Sequence, residues 1–598
     1  MKLGHGNLSA TDLAGRKGQF SELNTYLIAS VFANLFCLLS YGYDGDIGYW
    51  REWIRQLQTQ GYGGFEGNYP PVYVHWLWVC AKLASVLGLS LETHIEVKAL
   101  SVIPVMFVHL LIIRLVYDLT QKWTVSPEKR KFINWLTALN PVFLSDGPMW
   151  GQVDLFPTAV VAVGLLAAHS ASSRYFILIV PLYCLALLTK FQMIAFAPVF
   201  GFIFFRQLKI SLISIIPAIF LLVLVLLPFA VGKNLLGVLD NAYVKTLGQY
   251  PLATMYAANT WMAFYGNMQP DNLRVLPLLL GEAATIKNVG ILLFALLSIA
   301  VFSKGCYLVY QERKGADVST LDSYIWRAAL TCSFGFFIVL PGMHERYLFS
   351  ASVIAIFYIV RANGSLPIAL LVTLCALLNI LIVLPLRGDE LWKPLAFFSC
   401  LVFAAFMLDS WWPRAFHKAK VIGRRLMEIK GLPEAILLCV LVVPLAAEKY
   451  FFWANESIRD NEIRLTELQP TSVRQDWGRL NINKTVAGDD FSVGFIRYRH
   501  GLGTHANSRI EYSLDGNYEA FRFRVGVNED SRNGSMRFEV YGDGKLLWKS
   551  GRMSGGEIEG EVILNIKGIT KLTLVVNSLG PINSDHANWL NPVLRRYR

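Results

Sequence analysis

Tyr43–Pro71 reads YDGDIGYWREWIRQLQTQGYGGFEGNYPP and follows directly on a first apolar segment, 24–41, of roughly membrane-spanning length. Two carboxylates, Asp44 and Asp46, stand there among aromatic residues and ahead of a Tyr-Pro-Pro turn. At a membrane surface that combination points to a reaction centre more than to a connecting loop, because ionisable groups at such depth are expensive and by default face a cavity.

With 54% hydrophobic and only 16% charged residues, and a mean hydropathy of +0.42, 598 residues carry more apolar surface than one soluble core could bury. Apolar runs near 24–41, 97–117, 132–147, 154–170, 174–190, 191–206, 210–231, 286–310, 323–341, 347–361, 365–385, 392–410 and 433–450 predict a polytopic α-helical membrane protein of about 13 transmembrane helices. The stretch 174–206, with Lys190 inside it, reads either as two crossings or as one long crossing plus a re-entrant piece.

If Lys2, Arg16 and Lys17 are cytoplasmic, the even-numbered turns carry Lys122, Lys129, Arg130 and Lys131, then Arg206 and Lys209, then Lys304, Arg313 and Lys314, then Arg414 through Lys430. Short cytoplasmic loops hold such an excess of positive charge, so Asp44–Pro71 is expected outside. The net charge of +12 is largely this collar. No nucleic-acid motif accompanies it, and nucleic acid is excluded as a partner class. The first apolar run ends in Tyr-Gly-Tyr-Asp rather than a small-residue cleavage site, which predicts a retained helix. The eight cysteines lie before residue 440 without CxxC spacing and read as buried filler.

After Tyr450 the composition changes. Residues 1–450 are expected to form the membrane domain, 451–469 a linker, and 470–598 an extracytoplasmic all-β sandwich, with 451–490 also offering an edge strand. RIEYSL (509–514), AFRFRVGV (520–527), SMRFEVYG (535–542), KLLWKSG (545–551), GEVILNIKG (560–568) and KLTLVVNS (571–578) alternate apolar and polar residues, with Asp515-Gly516 and Asp543-Gly544 marking turns. Gly501-Leu502-Gly503-Thr504-His505-Ala506, followed by Phe538-Glu539-Val540-Tyr541, resembles the NPCBM family of jelly-roll-like carbohydrate-binding modules. The resemblance implies glycan binding, with His505 and Trp589 as contact residues; as residues of a sandwich both could equally be packing. Where the family has an Asp-rich stretch around its late Trp, this chain reads Asp585-His586-Ala587-Asn588-Trp589, so no calcium contact is carried over.

Further polar clusters interrupt the apolar runs: Asn68, Tyr69, Pro70 and Pro71; Trp150, Gln152 and Asp154; Lys190; and His344, Glu345 and Arg346. An acceptor hydroxyl that attacks must lose its proton, and a carboxylate is the simplest base. A departing lipid phosphate needs cations or helix N-termini, and Arg346 with Lys190 would form such a clamp. Duller roles exist: a helix cap for Asp46, an interfacial belt for Trp150, Gln152 and Asp154, and a snorkelling ammonium for Lys190.

GDIGYWREW, NYPP, MWGQVD, LLTKFQ and MHERYL, in that order over roughly 20–390, resemble the GT-C superfamily of integral-membrane glycosyltransferases, close to the bacterial polyprenyl-phosphate-mannose-type mannosyltransferases and to the eukaryotic dolichyl-phosphate-glucose glucosyltransferases. The resemblance implies an inverting transfer of a hexose from a polyprenyl phosphate sugar to a glycan or lipid-linked oligosaccharide acceptor, at the extracytoplasmic face of a bacterial inner membrane. It makes Asp46, seven positions before Trp53, the base; Asp44 is a second candidate that projects similarly if the segment is extended. Asn68 stands where the family has Asp, and His344-Glu345-Arg346 matches the donor cluster, Arg offering a bidentate fork for phosphate. Segment 240–270 is expected along the outer interface, over donor or acceptor. No cofactor is called for and metal is not required, since fixed cations can neutralise phosphate. The rivals are a lipid-glycan flippase, which would show inverted repeats, and a non-catalytic glycan-binding scaffold.

Overall fold

The computed structural model describes residues 10–40, 42–91, 93–122, 126–169, 174–275, 284–383, 389–411, 456, 458–459, 461–493, 496–527, 534–580, 582 and 585–597. The chain divides into two compact units, residues 1–42 with 49–445 and residues 43–48 with 446–598. Up to residue 411 the described chain is helical apart from one short strand pair, and from residue 461 it is all β.

Among the described residues four helices are long and apolar enough to cross a membrane: His94–Gln121, Leu208–Val231, Ile286–Arg313 and Trp392–Ser410. The expected thirteen are not reached, because several apolar runs are shorter or broken. The run 132–147 stops where Pro141 offers no N–H; Asn140 Oδ1 instead caps the following turn through the amides of Val142 and Phe143. At Lys190 the chain is extended between Ile179–Thr189 and a tight turn, Phe191–Phe196, that leads into Ala197–Arg206. This resolves 174–206 into two pieces. The expected crossing 433–450 and the basic loop Arg414 through Lys430 lie outside the described residues.

Two helices were not expected. Pro71–Leu87 opens on proline and closes on Gly88 at φ +64°, a left-handed residue that suits glycine. Asp44–Gln60, taken for a loop, is an amphipathic helix whose Ile47, Trp50, Ile54 and Leu57 recur at helical spacing and are all buried. Positions 44 and 46 therefore fall about 200° apart round the axis, and the expectation that they project alike fails; Asp46 and Trp53, seven apart, share a face.

Helix His94–Gln121 carries polar side chains eleven residues apart on one face. Lys98 reaches Ser40 and Met149, His109 bonds Thr137 O and Asn34, and Thr120 bonds Asn134. A second polar knot joins four helix ends. Buried Arg206, which the charge pattern assigns to a cytoplasmic turn, binds Glu312 at 2.6 Å, Asp322 at 2.8 Å and Ala168 O at 2.7 Å, while His169 meets Asp322 at 2.6 Å. Cys80, Cys332 and Cys375 are free thiols sealed in apolar surroundings.

The β unit is a sandwich of two six-stranded sheets. One runs Val562–Asn565, Tyr518–Val527, His586–Arg596, Gly501–His505 and Asn481–Ile482, with Glu462–Arg464 also on His586–Arg596. The other runs Lys545–Lys549, Ser535–Gly542, Lys571–Ser578, Ser508–Ser513 and Ser472–Gln475, with Met553–Ser554 on Ser535–Gly542. Alternate residues fill the space between them: Phe523, Val525, Phe538, Val540, Tyr512, Leu574, Val576 and Trp589 are fully buried. Each such side chain contributes about 1.5–3 kcal/mol on burial. The module starts earlier than the expected residue 470, since Glu462–Arg464, placed in the linker, pairs with Val593–Arg595.

Candidate functional site

The cluster His344-Glu345-Arg346 is held by the strand Met343–His344, which pairs in parallel with Thr254–Met255, and by the tight turn Glu345–Leu348 that leads into helix Phe349–Ala362. The expected covering segment thus forms a sheet with the donor motif. Glu345 is 3% exposed, its Oε1 accepts from Arg346 Nη1 at 2.7 Å, and its Oε2 lies 3.8 Å from His344 Nδ1. Burial alone would raise this carboxyl; the Arg346 guanidinium and His344 outweigh it and hold the group at about 2. Tyr250 and Tyr347 pack edge-on to the His344 ring at 5.5 and 5.1 Å.

Arg346 lies over the ring of Trp150, its guanidinium carbon 5.7 Å from the ring centroid. This is cation–π geometry, worth most where water is excluded, and Trp150 is fully buried. Trp150 ends a π-helical turn, Ser145–Trp150, closed by Gly151 at φ +102°; such turns recur at functional sites. Gly151 O accepts from Trp50 Nε1 at 2.8 Å, so helix Asp44–Gln60 is pinned to this turn. Asp46 lies one helical turn before Trp50 and is half-buried. Asp44 opens the helix, and its side chain lies outside the described features.

Lys190 has a partner that its place in the sequence did not suggest: it is ion-paired with Asp154 Oδ1, each side chain 6% exposed. Asp154 Oδ2 and Gln152 Oε1 are buried with no hydrogen-bond partner among the described residues. Tyr347 joins the two groups, hydrogen-bonding Gln192 and lying close to Asp154, Arg346 and Glu345. Tyr69 packs with Trp50, Trp53 and Tyr73 at ring separations of 5.1, 5.8 and 5.5 Å, which makes it a wall of the aromatic cluster. Asn68 is exposed and donates to Gln249 at 2.9 Å, binding the Tyr-Pro-Pro turn to the covering segment. Asn241, in the same segment, donates to the carbonyl of Glu66, and Asn234, just ahead of it, to that of Phe65.

Lys98, Gln192 and Tyr347 were not expected in the site. Gln192 and Tyr347 stand inside the motifs LLTKFQ and MHERYL, and Lys98 is a lone cation in an apolar run, so each left a signal. No group of three or more His, Cys, Asp or Glu residues placed to hold a metal occurs among the described residues.

In the β unit Trp589 is fully exposed to neither solvent nor ligand: it is 0% accessible, wedged between Phe523 at 5.5 Å and Phe538 at 5.3 Å. Its expected sugar contact is therefore replaced by a packing role. His505 is buried beneath the exposed Trp477: its ring meets Trp477 at 5.3 Å and His586 at 5.6 Å, and Trp477 stacks on His586 at 5.6 Å with a 5° tilt. Trp477 is 52% exposed. Its neighbour Asp476 accepts from Asn507 Nδ2 at 3.0 Å. His505 Nδ1 donates to Ala506 O, and in that tautomer Nε2 is an acceptor. An exposed indole face beside hydroxyl-bonding groups suits a pyranose ring.

Residues 461–595 match the NPCBM/NEW2 domain family. Over 123 residues, 20% of this chain, the chain is 28% identical to alpha-1,3-galactosidase B of Akkermansia muciniphila, covering 16% of that protein. Over 106 residues, 17% of this chain, it is 30% identical to a putative endo-alpha-N-acetylgalactosaminidase of Renibacterium salmoninarum, covering 7% of it. The chain thus spans a small part of the length of these curated relatives. Among solved structures, the CBM51 module of Clostridium perfringens GH95 in complex with methyl-galactose is 32% identical, over 22% of this chain and 99% of that one, at a TM-score of 0.21. The arabinosyltransferase EmbB of Mycobacterium smegmatis overlaps 96% of this chain and 64% of its own at 12% identity and a TM-score of 0.33. The chain therefore joins a region of apolar helices to a C-terminal NPCBM domain.

Proposed function

We propose that the helical region is a glycosyltransferase that moves a sugar from a polyprenyl-phosphate donor to a glycan or lipid-linked acceptor at the extracytoplasmic face of the inner membrane, and that the NPCBM domain holds glycan for it. The observation that carries the reading is the guanidinium of Arg346, fixed between the buried carboxylate of Glu345 and the face of Trp150. A cation held this rigidly pays little reorganisation when a phosphate develops charge beside it. Asp46 takes the proton of the acceptor hydroxyl as its oxygen attacks the anomeric carbon. The bond to the lipid phosphate breaks in line, its electron pair leaves on the phosphate, and Arg346 with His344 stabilises that charge. Lys190 acts behind them, holding Asp154 and the Trp150 turn rather than the phosphate.

The domain's ligand is best sought among galactose-containing glycans, because relatives that share this module act, by name, on galactosides and N-acetylgalactosaminides. Trp477 is the proposed platform and His505 Nε2 the proposed hydroxyl acceptor. The test of the transferase reading is replacement of Asp46 by Asn. Purified protein with radiolabelled polyprenyl-phosphate sugars and a lipid extract should transfer label, and D46N should transfer none while remaining folded. Full turnover by D46N sinks the assignment.

A further inference from the structure

Lys98 is a lysine with 0% exposure inside the 28-residue apolar helix His94–Gln121. A cation so placed is expensive unless its protons are bound. Its Nζ donates to Ser40 O, to Ser40 Oγ at 2.9 Å and to Met149 O at 3.3 Å. Ser40 Oγ in turn donates to Met149 O at 3.0 Å. Met149 is the residue before Trp150, and Gly151, the residue after it, takes the Trp50 indole N–H. One ammonium therefore ties the end of the first apolar segment to the turn that presents the Trp150 ring to Arg346.

We propose that Lys98 is a positioning residue for sugar transfer. It touches no reacting atom; it sets the Met149–Gly151 carbonyls, through them the plane of Trp150, and through that ring the direction of the Arg346 guanidinium. Ser40 stands six residues ahead of Asp46 in the chain, so the same ammonium also anchors the segment that leads into the helix bearing the proposed base. Asp146, four residues before Trp150, is fully buried on the same turn, which adds a carboxylate to the polar surroundings of this junction. Without the ammonium, two carbonyls and a hydroxyl in an apolar interior lose their shared donor, and the turn relaxes. Misplacement on the scale of 1 Å lowers a rate about a hundredfold.

The proposal rests on the transferase reading, and its test separates the two. Full-length protein carrying Lys98→Met, Trp150→Phe, or both is compared with the wild type in detergent micelles. Backbone hydrogen exchange of peptides spanning 145–152 is expected to accelerate in K98M while peptides of the β unit do not change; unaltered exchange overturns the proposal whatever the activity. In sugar transfer, K98M is expected to lower kcat by about 10- to 100-fold with donor KM held within about twofold, and W150F is expected to add little in the K98M background, since both act through one turn. Effects that multiply, or a K98M variant with wild-type kcat, reduce Lys98 to a structural lysine and overturn the proposal. If the wild type transfers no sugar from any polyprenyl-phosphate donor, the transferase reading fails, and the exchange arm alone decides whether Lys98 holds the turn.

Discussion

Replacing Lys190 by Met tests whether that lysine serves a phosphate or a carboxylate. Its partner Asp154 and Lys190 itself are each 6% exposed in their side chains, so the methionine leaves a buried anion without a counter-charge. Removing one member of such a pair costs about 3–5 kcal/mol, whereas replacing both by apolar residues of similar volume is neutral or stabilising by about 1–4 kcal/mol. Lys190→Met should therefore destabilise the protein by about 3–5 kcal/mol and Lys190→Met/Asp154→Leu should restore it, giving an interaction energy of at least about 3 kcal/mol in the cycle. Denaturant unfolding of the four proteins in detergent micelles measures it. A Lys190→Met protein within about 0.5 kcal/mol of wild type, with its defect confined to donor KM, would refute the pairing and return Lys190 to the phosphate clamp.

Other consequences are as direct. Trp589→Ala should lower the stability of the β unit by about 3–5 kcal/mol, while Trp477→Ala should leave its thermal unfolding unchanged and weaken capture on galactose-bearing resin; the reverse pattern would restore Trp589 as the sugar contact. Glu345 ionises at about 2. Its depressed value means that its stabilising contribution is complete above its ordinary value of 4.5 and is lost progressively as pH falls from there through about 2. A pH–rate profile between about pH 5 and 8 should then show no inflection that Glu345→Gln removes, and such an inflection would refute the assignment.

Strands were the most legible part of the chain. Ser535–Gly542 alternates buried and partly exposed residues along most of its length, and both it and Lys571–Ser578 stand where period-two patterning puts them. Of the two roles open to Trp589 the structure shows the packing one, and the sequence left them undecided because its strand is covered on both faces. Its neighbour Leu590 packs into a second cluster with Phe491, Val493 and Tyr498, so almost every residue of His586–Arg596 is buried and alternation has nothing to report. Helix Asp44–Gln60 was misread for the opposite reason. Asp46, Arg51, Glu52 and Arg55 dominate its composition, yet Ile47, Trp50, Ile54 and Leu57 keep a helical period that counting would have found. Where helices break was not legible, because mean apolarity does not reveal a proline or an extended lysine inside a run, as at Pro141 and Lys190. The site motifs were visible as residue types, but which charge met which was not: Lys190 turned to Asp154, and Arg346 to Glu345 and Trp150. Partner choice at this scale depends on tertiary placement that no local pattern encodes.

The first strand of the sandwich, Glu462–Arg464, runs beside its last, His586–Arg596, in antiparallel register. A fold whose opening and closing strands are neighbours can be spliced onto a host through a single seam, with every ladder inside it left whole. That geometry makes the module portable, and it accounts in physical terms for how one β cassette can ride on proteins named as glycosidases and, in this chain, on a region of apolar helices.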